Sequence, residues 1–175
     1  MSVDVIERTA CFTGHRPQEM MAFLPGDDRF DRLTEAFDRE LIHLVEQCGV
    51  DMFLCGMADG FDLFAAQRLL WLRRTGRIPQ GTCLIAVQPY PEHIRSMPRK
   101  SWVEAYQDVL TCAQDTLVVT FAYSSQSYRK RNAYLVEHSR YVLAFWNHVR
   151  RSGTGMTVHM AQKNGSTIIN LYDLY

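Results

Sequence analysis

The chain has 175 residues, 47% of them hydrophobic, enough for one domain spanning residues 1–175 that buries roughly two thirds of its unfolded surface. Nineteen basic and nineteen acidic residues cancel to a net charge of zero, which argues against a generic electrostatic grip on nucleic acid or anionic lipid but allows a local basic patch. Residues 1–8 lack the apolar core of a signal peptide, and no apolar run approaches the ~18 residues of a membrane span, so a cytoplasmic protein without a membrane partner is expected.

In chain order, short apolar runs rich in β-branched and aromatic residues predict strands at Thr9–Thr13, Met52–Cys55, Cys83–Val87, Leu117–Phe121, Tyr141–Phe145 and Thr167–Leu171. Their lack of strict alternation suits a sheet covered on both faces. Helical periodicity falls between them, at Asp31–Cys48, Asp62–Arg74, Ser101–Ala113, Gln126–His138 and Gly155–Lys163. The first of these carries Leu33, Phe37, Leu41, Leu44, Val45 and Cys48 on one stripe, with Gly49 placed as a C-terminal cap. Strand alternating with helix predicts an α/β fold: a Rossmann-like three-layer α/β/α arrangement with a mostly parallel sheet of about six strands. The two longest loops run from Gly14 to Phe30 and from Gln88 to Lys100, the second stiffened by Pro89, Pro91 and Pro98 and long enough to act as a lid.

Five cysteines, widely spaced and without C-x-x-C or histidine partners, predict reduced thiols and no metal site. Cys11, Cys55 and Cys83 sit inside strand runs and read as small buried hydrophobes.

In an open parallel sheet the ligand sits beyond the carboxyl ends of the strands, so the loops that follow the strands carry the candidates. Gly56-Met57-Ala58-Asp59-Gly60-Phe61-Asp62 follows the second strand and ends at a helix, an arrangement that brings backbone N–H groups and a helix N-terminus against an anion. Asp62 is placed to cap that helix, while Asp59 caps a turn or accepts from a ribose hydroxyl. Ser152, Gly153, Thr154 and Gly155 open the last helix with small side chains, free N–H groups and two hydroxyls. Gly14, His15 and Arg16 follow the first strand, before Pro17.

Tyr128-Arg129-Lys130-Arg131-Asn132 is a dense basic cluster on the first turns of a helix, where cations are unfavourable unless an anion meets them. Arg131 is expected to point into the cleft, with Arg129 and Lys130 solvated. His159 is expected on the cleft side of the last helix. Tyr90, Tyr123 and Tyr128 lie on loops that would place a ring beside a bound base.

Phe12-Thr13-Gly14-His15-Arg16-Pro17, Gly56 to Asp62, Arg131-Asn132 with Leu135-Val136, and Val142 to Trp146 together resemble the YpsA-like proteins of the SLOG superfamily. Other members of that superfamily are the Lonely Guy phosphoribohydrolases and the DNA-uptake protein DprA. The likeness runs from Thr9 to Leu171. It implies a bacterial Rossmann-like domain with a nucleotide-derived ligand at the strand ends, no further cofactor, and links to cell division and stress responses. The phosphoribohydrolases carry an arginine-lysine pair on one helix and P-G-G-x-G-T-x-x-E on the next. Arg131 matches that arginine, with Asn132 in place of the lysine, and His159 falls where the catalytic glutamate stands. A neutral imidazole does not stabilise the positive charge that builds on a sugar losing its base.

The expected function is therefore a cytosolic nucleotide or nucleotide-derivative binding domain that senses or signals, taking a small phosphorylated ligand and passing the signal to a protein partner or a second copy, with nucleic acid an unlikely partner. Its ligand-binding residues would be Gly14, His15, Arg16, Gly56, Asp59, Gly60, Asp62, Arg131, Asn132, Ser152, Gly153, Thr154 and Gly155. Two alternatives stay open: a nucleoside-phosphate hydrolase, and a nucleic-acid or protein interaction domain related to DprA.

Overall fold

The computed structural model describes residues 1–16 and 28–174. Pro17 and most of the first long loop lie outside the described residues. Six strands form one all-parallel sheet: β1 (Thr9–Gly14), β2 (Met52–Cys55), β3 (Cys83–Gln88), β4 (Asp115–Val118), β5 (Tyr141–Phe145) and β6 (Thr167–Asn170). Their order across the sheet is β4-β3-β2-β1-β5-β6. The chain steps outward from β1 to β4, then returns to lay β5 on the other side of β1. The strand order thus reverses between β1 and β5, the point where a doubly wound sheet opens a crevice.

Six α-helices accompany it among the described residues: α1 (Val3–Glu7), α2 (Asp28–Glu46), α3 (Phe61–Arg74), α4 (Lys100–Cys112), α5 (Ser127–Glu137) and α6 (Gly153–Asn164). Alternate strand residues divide the interior into two layers. Ala10, Phe12, Phe53, Leu84, Leu143 and Phe145 pack with α2, α3 and α4. Cys11, Leu54, Val87, Val142 and Ala144 face Leu135, Val136, Val158 and Ala161 of α5 and α6. Asp38 of α2 takes a two-pronged bond from Arg68 of α3, at 2.6 and 2.5 Å.

β2 and β5 have the predicted bounds, α3 begins one residue earlier than predicted, and α5 is shorter than predicted by one residue at each end. β4 lies two to three residues earlier than expected. Its partner β3 runs into Pro89, which has no N–H to continue the ladder, and Phe121 is fully exposed beyond it. As an edge strand β4 tolerates the polar Asp115 and Thr116, which made its start unreadable from apolar runs. α1 has five residues, too few to show a period, and is tied down where Thr9 Oγ1 donates to the Val5 carbonyl at 2.6 Å. Gly49 adopts φ +70° beyond the end of α2, as a helix-terminating glycine should. All five cysteines are free. Cys11 and Cys55 are fully buried, Cys83 only in part, and burial pushes the Cys11 thiol up to about 12.

Candidate functional site

The crevice at the β1/β5 reversal is a small cleft of about 170 Å³. Its walls come from the end of β1, the turn into α3, the first turns of α5, and the start of α6: Thr13 to Arg16, Ala58 and Asp62, Tyr128, Arg131 and Asn132, and Ser152 to Thr154 with Met156 and Thr157.

Three glycines let these walls approach one another. A side chain at Gly14 would collide with the Phe61 ring, and one at Gly60 with the His15 carbonyl; Gly60 also sits at φ +93°, which favours glycine. In consequence the Phe61 amide reaches the His15 carbonyl at 3.0 Å, binding the turn before α3 to the end of β1. A side chain at Gly56 would stand where the Arg131 guanidinium lies.

That guanidinium is the centre of the site. Arg131 is 4% exposed and donates to the Gly56 carbonyl and, at 3.2 Å, to Asp62 Oδ2, which also accepts the Ala58 amide at 3.4 Å. Arg131 Nε is buried without an acceptor. Burial raises the Asp62 carboxyl above its ordinary range, opposed by the neighbouring Arg131 charge. Burial acts on Arg131 in the matching sense, downward, but a guanidinium stays charged throughout the accessible pH range. Arg16 pairs with Asp59 at the cleft edge. Arg129 and Lys130 are exposed, so of the three adjacent cations Arg131 alone lines the cleft.

Asp62 does not cap α3: the capping position is Gly60, and the Asp62 carboxylate turns inward to Arg131 instead. A buried cation is a stronger attractor for a carboxylate than exposed helix amides are. The hydroxyls of the last helix are also less free than expected. Ser152 Oγ donates to the Val149 carbonyl at 2.8 Å and accepts the Gly155 amide at 2.9 Å; Thr154 Oγ1 donates to the Gly14 carbonyl at 2.8 Å. The amides of Gly153 and Thr154, at the positive end of α6, keep no intrahelical acceptor. Gly155 is there because a side chain would strike the Val149 and Arg150 carbonyls.

His15 lines the cleft, and its Nε2 accepts the Asn147 amide at 2.8 Å, joining the loop after β1 to the loop after β5. This bond fixes the ring proton on Nδ1. His159 is exposed and lies away from the cleft, in a groove with Trp146, Arg150 and Gln162 on the other side of α6. It stands six residues past Gly153, about 240° around the helix, whereas Thr154 and Thr157 follow the cleft face. The position matching the phosphoribohydrolase glutamate therefore points elsewhere, and Asp62 is the one carboxylate lining the cleft among the described residues.

Sequence reasoning missed His93. It is fully buried on the Gln88–Lys100 loop, beside Tyr106, Tyr90 and Tyr128. Gln88 Nε2 donates to the Tyr106 hydroxyl at 3.0 Å, and that hydroxyl lies 3.2 Å from His93 Nδ1. Burial, with Arg131 and Arg16 adding to it, lowers the His93 imidazole to about 3, so it is neutral near pH 7. The loop holds a short 3-10 turn, His93–Ser96, and His93 anchors it.

The sequence profile of the YspA SLOG family matches residues 10–173. The chain belongs to that family. No curated protein matches the sequence. Among solved structures, DNA processing protein A (DprA) from Streptococcus pneumoniae is 15% identical with a TM-score of 0.55, the alignment covering 95% of this chain and 51% of that one. The Helicobacter pylori DprA structure, described for its single-stranded DNA binding mode, is 17% identical with a TM-score of 0.58, covering 95% of this chain and 67% of the other. The likeness is one of fold, and the chain spans about half the length of the pneumococcal protein.

The expectation that nucleic acid is an unlikely partner does not stand. The Helicobacter pylori protein, which is similar in fold, is described by its single-stranded DNA binding mode. The zero net charge behind that expectation sums the whole surface, whereas a ligand meets a local field. Arg129, Lys130, Arg150 and Arg151 are exposed and form no ion pair among the described residues. As for membranes, no helix among the described residues is long and apolar enough to cross one.

Proposed function

We propose that this SLOG protein binds a nucleotide or nucleotide derivative through its phosphate in the β1/β5 cleft, as a sensing or signalling domain. The observation that carries the reading is the meeting of the α6 N-terminus with Arg131 across one small cleft at the strand-order reversal. Two free amides at a helix N-terminus supply donors, the helix end supplies positive potential, and the half-exposed Arg16 adds a second cation at the edge. Titration of the protein with AMP and with inorganic phosphate, followed by calorimetry and thermal denaturation, tests this. Stabilisation by both ligands, lost in Gly153→Asp, is the expected result; no binding of either at millimolar concentration sinks the reading.

A second reading rests on the mostly exposed segment from Phe121 to Lys130. Phe121 is fully exposed and Tyr123 is 66% exposed, a few residues before the exposed Arg129 and Lys130 in the chain. Exposed aromatic rings among cations are what a single strand needs for stacking and phosphate neutralisation, and the Helicobacter pylori relative of this fold binds single-stranded DNA. Under this reading an oligothymidylate binds with a steep salt dependence that falls when Arg129 and Lys130 are both changed to Glu. Absence of binding at low salt removes it.

A further inference from the structure

We infer that Tyr128 and Asn132 form the base subsite of the cleft, so that the ligand is a purine nucleotide held by ring stacking and one amide, rather than a sugar phosphate. The inference rests on the reading above that the phosphate sits at the α6 N-terminus.

Size is the first argument. A cleft of about 170 Å³ is smaller than the roughly 300–1,000 Å³ of sites that enclose a whole drug-sized ligand. It suits a phosphate and pentose, which places a base at the mouth. Of the residues lining the cleft, Tyr128 in the first turn of α5 carries a phenol ring and is half-buried, so part of it reaches solvent.

That ring is held firmly from behind. The Tyr128 hydroxyl lies 3.3 Å from the Tyr90 hydroxyl, and Tyr90 and His93 meet its ring nearly edge-on, at 82° and 70°. Neither of those residues lines the cleft, so they support Tyr128 from outside it. Tyr90 in turn meets Tyr123 at 77°, and His93 is braced through Tyr106 to Gln88. His93 Nε2 is buried without a partner in this wall, a polar atom given up to keep a rigid aromatic backing. A ring fixed in this way loses little freedom when a flat partner stacks on it.

Asn132 supplies the third argument. It lies one turn after Tyr128, on the same face of α5, and also lines the cleft. Its side-chain amide has no hydrogen bond within the described protein, although the residue is only 9% exposed. It offers a donor and an acceptor side by side, which match the N6 amino group and N7 of adenine.

The test compares AMP with ribose 5-phosphate by calorimetry on the wild type and on three variants. On the wild type AMP is expected to bind at least tenfold more tightly, the contribution of stacking one base. Tyr128→Leu keeps apolar bulk without the π-face and is expected to erase that ratio while leaving ribose 5-phosphate affinity unchanged. Tyr128→Phe is expected to preserve it. Asn132→Ala is expected to weaken AMP severalfold and ribose 5-phosphate not at all. Equal affinities for the two ligands on the wild type, or a ratio that survives Tyr128→Leu, would overturn the base subsite while leaving phosphate binding in place. Failure of both ligands to bind overturns the two readings together.

Discussion

The guanidinium of Arg131 occupies the space that a side chain at residue 56 would need, and donates to the Gly56 carbonyl from there. The two residues are 75 positions apart, one in the loop after β2 and the other on α5. Gly56→Ala is therefore expected to displace Arg131 and destabilise the fold by about 2 kcal/mol or more, through overpacking and a disturbed buried charge. In an Arg131→Ala background the same change should cost far less. Urea unfolding of the four proteins gives the coupling directly; additive effects would show that the two sites do not share this space.

Asp62→Asn takes the counter-charge from a buried cation. Unfolding free energy should fall by about 3 kcal/mol, near the lower end for breaking a buried pair because the amide oxygen still accepts from Arg131. The same change removes the carboxylate lining the cleft, so inorganic phosphate should bind severalfold more tightly and recover more stability than it does in the wild type. Thermal melts with and without phosphate check both effects, and weaker phosphate binding would show that Asp62 does not oppose the anion.

Gly153 and Gly155 separate binding from folding. A side chain at Gly153 meets nothing within 4 Å, and an acidic residue in the first turn of a helix is favourable. Gly153→Asp should leave the melting temperature unchanged or higher while lowering phosphate affinity at least tenfold. Gly155→Ala, pressed against the Val149 and Arg150 carbonyls, should lower stability by about 1–3 kcal/mol. Differential scanning calorimetry paired with phosphate titration distinguishes the two; equal loss of stability would contradict this division.

His93 sets a pH dependence whose sign follows from its depressed value. Between its ordinary 6.5 and about 3 the unfolded chain binds a proton that the native state does not, so native stability is lost as pH falls through this window. The slope is at most about 1.4 kcal/mol per pH unit. Asp62 works in the opposite sense: with its carboxyl raised, its contribution declines as pH rises above the ordinary carboxylate range. Subtracting the unfolding free energy of His93→Phe from that of the wild type cancels the Asp62 part. This difference should fall between pH 6.5 and pH 4; a flat difference would mean that His93 is protonated in the native state.

The sheet could be read in advance wherever strands were central and apolar on both faces. β2 and β5 are of this kind, and their bounds follow from composition alone. β4 was harder to place because an edge strand needs no apolar start. The cleft was legible through its glycines and through Arg131, since close approach and unfavourable cations on the first turns of a helix leave marks in the sequence. The pairing of Asp62 with Arg131 left none, because the two are 69 residues apart and Asp62 also fits the pattern of an ordinary cap. His93 was hidden for a similar reason: its burial comes from Tyr106 and Tyr128, which reach it from other elements.

The Thr154 hydroxyl and the Gly14 carbonyl that it meets are 140 residues apart. A chain emerging from its N-terminus can lay down β1 to β4 with α2, α3 and α4, but β1 keeps a bare edge until β5 arrives, and the cleft stays open on one side until α6 follows. Closure of the cleft thus comes late in synthesis, and a premature stop before β5 leaves the walls from β1, α3 and α5 without the α6 wall that faces them, although two thirds of the sheet's strands remain to pair.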